Sequence, residues 1–215
     1  MAEYWDGYWE SKNIISKIVD FMRVHYFADI PMYYIGNVKD KILLEAGCGS
    51  CETLVRIAKK AKKVVGLDIS KKSILVSKIK FGMNKIPKDK YSFVLGDIQK
   101  MTFKDNTFDI TFNAGVIEHF DDDKINNKPV REMVRVTKNG GKIIILVPSV
   151  YSIFYLYYLV SRIPGLNKIF PGEASHRFYS FKLMRNQLDE LKVKYKIRLC
   201  FRTLFLYLVA EITKQ

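Results

Sequence analysis

From Lys41 onward, short apolar runs alternate with longer segments whose apolar residues recur every three or four positions. "KILLEAG" reads as a buried strand, and "CETLVRIAKKAKK" as a helix with Leu54, Val55, Ile57 and Ala58 facing inward. The pair then repeats. "KVVGLDIS" is a second strand, followed by the helical "SKKSILVSKIKFGMNK", for which Ser70 is the expected cap. "YSFVLGDIQ" is a third strand, and "FDITFNAGVIEHF" a fourth that runs into a loop. "DDDKINNKPVREMVRVTK" follows as a helix whose early acids suit the positive end of the helix dipole. "NGG" then turns the chain into "KIIILVPS", the fifth strand. Strands alternating with helices at this spacing predict βαβ units, hence an α/β domain with a parallel sheet covered on both faces. The closing runs "KVKYKIRLCFRT" and "LFLYLVAEITK" predict an antiparallel hairpin that finishes the sheet.

Two regions stand outside this alternation. Residues 1–40 are helical and aromatic in pattern, with Ile14, Ile15, Ile18, Val19, Phe21 and Met22 at near-helical spacing. They are expected to form an N-terminal lid, in which Tyr4, Trp5, Tyr8 and Trp9 offer aromatic faces to an apolar ligand or a cation. Residues 149–191 read as an aromatic cap inserted into a core made of residues 41–148 and 192–215. Helical spacing of Tyr151, Phe154, Tyr155, Tyr157 and Tyr158 suits a small cap core as well as a pocket wall.

Composition changes this picture little. A chain of 215 residues can bury a sizeable core. Its longest apolar run, "VYSIFYLYYLV", is shorter than the ~20 residues of a membrane span. The acidic, aromatic start carries no secretory pattern, so a cytoplasmic location is expected. The net charge of +14 would suit phosphate-rich partners, but 27 of the 36 basic residues are Lys and only 9 are Arg, the side chain fitted to bidentate recognition. The lysines are scattered along helices, as on a solvated surface. Attraction to an anionic substrate or peripheral contact with a membrane are the other readings of the charge.

The chemistry turns on "KILLEAGCGSCETL", which holds both a C-x-x-C pair, Cys48 and Cys51, and a glycine loop, Gly47 and Gly49. The remaining Cys200, His25, His119 and His176 stand at no ligand spacing, so no metal site is expected. A thioredoxin-like centre does not suit five strands in regular α/β order. The glycine loop explains more. Gly47 and Gly49 let the backbone turn tightly and approach a ligand at a helix start. Asp68 ends the second strand about 20 residues later, the place of an acid that binds ribose hydroxyls. The third strand ends in Asp97 and the fourth in Asn113, so polar groups collect at the carboxyl ends of parallel strands, where open sheets bind ligands.

These residues resemble the class I S-adenosylmethionine-dependent methyltransferases. "LLEAGCGSC" is similar to the family's first motif, "VVGLDIS" to its ribose-binding segment, and "LGDIQKMTFKDNTFDITFNAGVIEHF" to its adenine-contacting acid and fourth-strand motif. "MVRVTKNGGKIIILVPS" is similar to the helix and strand that follow. The match is tight over Leu43–Ser149, and "VIEHF" and "HRFYSFKLMRNQL" resemble the ubiquinone-biosynthesis-like, small-molecule branch. One departure is Cys51, which stands where the motif has its third glycine.

The resemblance implies a Rossmann-like, doubly wound, mostly parallel seven-stranded sheet with an antiparallel last strand, N-terminal helices and an aromatic helical cap. It implies S-adenosylmethionine as cofactor, with S-adenosylhomocysteine as product. Glu45 would orient the cofactor's amino group, and Gly47, Cys48 and Gly49 would line it. Asp68 would take the ribose hydroxyls, Asp97 the adenine amino group, Ile69 and Ile98 the two ring faces. Asn113 and Ala114 would meet the methionyl part, with Tyr8 and Trp9 above. His119 is the candidate base, and Glu118, Tyr151, Tyr155, His176 and Arg177 are candidates for the acceptor side.

The expected reaction moves a methyl group to oxygen, nitrogen or carbon of a small or lipid-like acceptor. An RNA or protein-lysine acceptor is the alternative, although the fourth strand reads "NAGV" and lacks the "NPPY" pattern of many such enzymes. The reading from another class is a non-catalytic cofactor-binding or redox C-x-x-C protein. Oligomeric state is left open.

Overall fold

A computed structural model of the protein describes residues 2–8, 28–120, 123–164, 177–203 and 206–215. The helical spacing read over Ile14–Met22, together with Trp9 and His176, lies outside the described residues.

The chain begins with helix α1 (Ala2–Tyr8) and helix α2 (Ile30–Ile35), and then enters the alternating core. That core runs β1 (Ile42–Ala46), α3 (Glu52–Ile57), β2 (Lys63–Asp68), α4 (Lys71–Met83), β3 (Tyr91–Leu95), β4 (Phe108–Ala114), α5 (Asp123–Val136) and β5 (Thr137–Pro148). Among the described residues two helices follow, α6 (Ile153–Ser161) and α7 (Phe181–Asp189), and then the hairpin β6 (Lys194–Leu199) and β7 (Tyr207–Thr213). The seven strands form one sheet in the order β3-β2-β1-β4-β5-β7-β6. Strands β1 to β5 pair in parallel, and β7 runs antiparallel to both β5 and β6. This is the mixed sheet, with its antiparallel last strand, expected above.

Two apolar layers hold the helices to the sheet. On one face Leu43, Val64, Ile110 and Ile144 meet Ile35 of α2, Leu54 and Ile57 of α3, and Ile74 and Phe81 of α4. On the other, Leu44, Val65, Ile143 and Ile145 meet Val130 and Met133 of α5, and Met184 and Leu188 of α7. The strand period of two sends alternate residues of each strand to opposite layers, which is why the buried strands read as nearly continuous apolar runs.

Local boundaries depart from the pattern where charge or packing intervenes. Helix α3 ends at Ile57, short of the expected Lys63, because Ala61 pairs with Lys39 and Lys63 already begins β2. Strand β5 starts at Thr137, five residues before Lys142, with an irregularity opposite Phe108–Ile110 that absorbs the extra residues between them. Ser70 does cap α4, accepting from the Ser73 amide at 3.1 Å.

Candidate functional site

The strand order reverses at β1: the chain moves outward through β2 and β3, then returns to place β4 on the other side. Such a switch point opens a crevice at the carboxyl ends of the two central strands. Glu45 is carried to that edge by β1, buried between Gly66 of β2 and Phe112 of β4. The chain then turns through Gly47 (φ +78°) and Gly49 (φ +48°), backbone that favours glycine. The amides of Gly47 and Cys48 both donate to the Leu67 carbonyl, at 2.8 and 3.0 Å, which pins the loop to the end of β2. A Cβ on Gly47 would lie 2.5 Å from Val116 Cγ2, so no larger residue fits between the loop and the chain leaving β4.

Asp68, the last residue of β2, is fixed on both sides of its carboxylate. Its Oδ2 accepts from the Gly49 amide at 2.8 Å and its Oδ1 from the Ser70 amide at 2.9 Å. Each oxygen keeps accepting capacity for a hydroxyl. The neighbouring Ile69 is half-buried. Beyond β3, Asp97 accepts from the Gln99 amide at 2.8 Å, and Ile98 is buried in the layer below. At the end of β4, Asn113 is fully buried and donates to the Ala46 carbonyl at 2.5 Å. Its Oδ1 is an acceptor with no donor among the described residues. Ala114 ends the strand half-buried, and the Gly115 amide donates to Leu146.

Helix α1 reaches this crevice from above. Asp6 accepts from the Ser70 hydroxyl at 2.5 Å, just after β2, and the Trp5 ring stands edge-on to His119 at 4.7 Å, just after β4. These two anchors follow β2 and β4, the strands on either side of β1. The bond from Ser70 holds the Asp6 carboxyl below its ordinary value. Tyr8 is the last residue of this helix. Asp6 was not among the sequence candidates; its partner lies 64 residues away, and one sequence carries no signal for such a pair.

The acceptor-side candidates fall into two groups. Glu118 and His119 share a single 3-10 turn, Ile117–His119, and the Arg177 amide donates to the Glu118 carbonyl at 3.2 Å. Tyr155 instead packs with Tyr158 and Phe178, and the half-exposed Tyr151 packs with Phe181.

Cys48 and Cys51 are free and buried. Burial foremost, then the adjacent Cys51 thiol and the carboxylates of Asp68 and Glu45, push the Cys48 thiol well above its ordinary value. A thiol held protonated is a poor nucleophile and a poor metal ligand. Among the described residues no cluster of three or more His, Cys, Asp or Glu side chains is placed to hold a metal.

A family model described as "Methyltransferase domain" matches residues 44–145. Norajmaline N-methyltransferase from Rauvolfia serpentina is 35% identical over 123 residues, 56% of this chain and 39% of that protein. Demethylmenaquinone methyltransferase from Bacillus cereus is 26% identical over 183 residues, 79% of this chain and 72% of that protein. Against the Rauvolfia relatives the chain spans well under half of their length, 39% and 36%. Among solved structures, magnesium protoporphyrin IX methyltransferase from Synechocystis PCC 6803, with bound SAH, superposes with a TM-score of 0.74 at 14% identity, covering 100% of this chain and 98% of that one. This last likeness is one of fold.

Proposed function

The chain belongs to the class I S-adenosylmethionine-dependent methyltransferases, and on that premise we propose that it methylates a small, largely apolar acceptor. The observation that carries the proposal is the row of Asp97, Asp68, Glu45 and Asn113 along the adjacent strand ends of β3, β2, β1 and β4, with Asp68 tied to the glycine loop at 2.8 Å.

One observation fits S-adenosylmethionine: Asn113 Oδ1 at the end of β4 is a buried acceptor with no donor among the described residues. Gly47, Cys48 and Gly49 lie along the cofactor, Asp68 takes the ribose hydroxyls and Asp97 the adenine amino group, with Ile69 and Ile98 at the ring faces. Glu45, Asn113 and Ala114 hold the methionyl part. Helix α1, anchored through Asp6 and Trp5, would close over it as a lid. When bound, the cofactor supplies an electrophilic methyl group on sulfur.

The chain's own contribution is orientation and exclusion of water, which drive an in-line displacement strongly. His119, held by the Trp5 ring, takes the acceptor's proton, and Glu118 sits beside it. Arg177, whose amide bonds the Glu118 carbonyl, would stand on the acceptor side, while Tyr151 and Tyr155 support that side through their packing on Phe181 and Phe178. A small acceptor is supported by the relatives, whose names specify norajmaline and demethylmenaquinone. Three buried free thiols suit the reducing cytoplasm.

The test is calorimetry with S-adenosylmethionine and S-adenosylhomocysteine. Both bind the wild type, and Asp68→Ala weakens binding at least about 100-fold, the loss of a doubly bonded charged acceptor. No heat of binding in the wild type would remove the reading, and full affinity in the variant would remove the role of Asp68.

A further inference from the structure

Helix α6 has two unlike sides. One packs inward: Tyr155 and Tyr158 rest on Phe178 at ring separations of 5.1 Å. The other carries Ile153, Leu156 and Leu159, with Ile163 just past the helix end, exposed to 68%, 55%, 45% and 48%. Steps of three, three and four residues keep these aliphatic side chains on one side of the helix axis. Isolated exposed aliphatics are ordinary, but a contiguous set on one helix face marks an interaction surface.

The charge around this face says what it meets. Among the described residues from Ser149 to Glu190, the cations Arg162, Arg177, Lys182 and Arg185 outnumber the acids Asp189 and Glu190, which stand together at the far end of α7. Arg162, Lys182 and Arg185 are exposed, and Lys182 follows Phe181, whose ring touches Tyr151 at the start of α6. A second copy of this chain would bring the same cations and the same net +14 to a self-complementary contact, which like charges oppose. An anionic bilayer supplies both missing halves, acyl chains for the aliphatic face and phosphates for the cations.

We propose that α6 is an interfacial anchor that docks the protein on anionic membrane lipid. The helix lies in the bilayer plane with Ile153, Leu156, Leu159 and Ile163 among the acyl chains. It cannot span: no helix among the described residues is long and apolar enough to cross a membrane. Its cap, Ser152, follows β5 by four residues, so docking sets the crevice at the strand ends beside the lipid surface. An acceptor dissolved in the bilayer then reaches the site without crossing water. The docking itself stands apart from methyl transfer, and its test needs neither cofactor nor turnover.

The experiment is co-sedimentation of the full chain with vesicles of phosphatidylcholine alone and of phosphatidylcholine mixed with phosphatidylglycerol. The wild type pellets with the mixed vesicles, and raising salt from about 0.1 to about 0.5 M weakens the partition several-fold. Leu156→Asp/Ile163→Asp lowers it about tenfold or more while leaving the thermal melt and cofactor affinity unchanged. Absence of wild-type binding to mixed vesicles overturns the proposal, as does equal binding by the variant. A wild-type dimer that the same variant dissociates, with no vesicle binding, would assign the face to a second copy instead.

Discussion

Cys51 holds φ +56° and ψ +37°, the left-handed region, at a position where glycine would carry no strain. A side chain there costs about 1 kcal/mol, so the thiol must return something in packing. It packs against β2: a Cβ on Gly66 would lie 2.8 Å from Cys48 Sγ, 2.9 Å from Phe93 and 3.0 Å from Cys51 Sγ. The two thiols therefore occupy the space left by a missing side chain on the neighbouring strand. Gly66→Ala should overpack this spot and cost about 2 kcal/mol in urea unfolding. Adding Cys48→Ala and Cys51→Gly should recover part of that loss, the rest being the Phe93 contact. If the triple variant is no more stable than Gly66→Ala alone, the thiols are not what Gly66 accommodates. At this scale the sequence was readable where spacing carries meaning. Glu45, Gly47, Gly49 and Asp68 announce themselves, and Gly49 and Asp68 do hydrogen-bond. The fit of Cys51 to Gly66 was not readable, since it depends on how two chain segments pack.

The element whose position matters most is α1, because Ser70 serves it and α4 at once. The Ser70 hydroxyl donates to Asp6 while accepting from the Ser73 amide that starts α4. Asp6→Asn keeps the shape but removes the charge from this bond, a weaker pairing by about 1 kcal/mol. S-adenosylmethionine should then leave several-fold faster in stopped-flow measurements, with the melt unchanged because the α4 cap survives. His119→Ala gives the contrasting profile: cofactor affinity holds while turnover falls about 100-fold. An unchanged release rate in Asp6→Asn means α1 does not close the crevice, and unchanged turnover in His119→Ala ends the base assignment. The alternation of strands and helices from Lys41 to Ser149 was legible because buried strands and amphipathic helices have different periods. The ends of α3 and β5 were not, since a bridge between Ala61 and Lys39 and a strand irregularity set them.

For the whole molecule, 36 basic residues against 22 acidic ones leave +14, so each carboxylate that protonates adds to an existing excess. Several carboxylates are also held in the folded state. Hydrogen bonds from Arg135 keep Glu132 below its ordinary value despite partial burial, and the Met101 amide adds to this at 2.7 Å. Partial burial pushes Asp109 up, but the Ile42 amide and the Lys138 ammonium outweigh it and hold it low. A carboxyl whose folded pKa lies below its unfolded one stabilises the fold fully above the unfolded value, about 4. That stabilisation disappears as pH falls through the folded value. Stability should therefore be nearly flat from pH ~7 to ~5 and fall below pH ~4, where self-repulsion grows as well. Added salt should restore part of the acid loss by screening the excess charge. Glu132→Gln separates the two causes. It should cost about 1 kcal/mol near neutrality, the value of a half-exposed charged hydrogen-bond network, and nothing once Glu132 is protonated in both states. Urea unfolding across that pH range reads the difference directly. A gap between variant and wild type that persists at the acid end means Glu132 acts through its shape, and the acid limb then belongs to net charge alone.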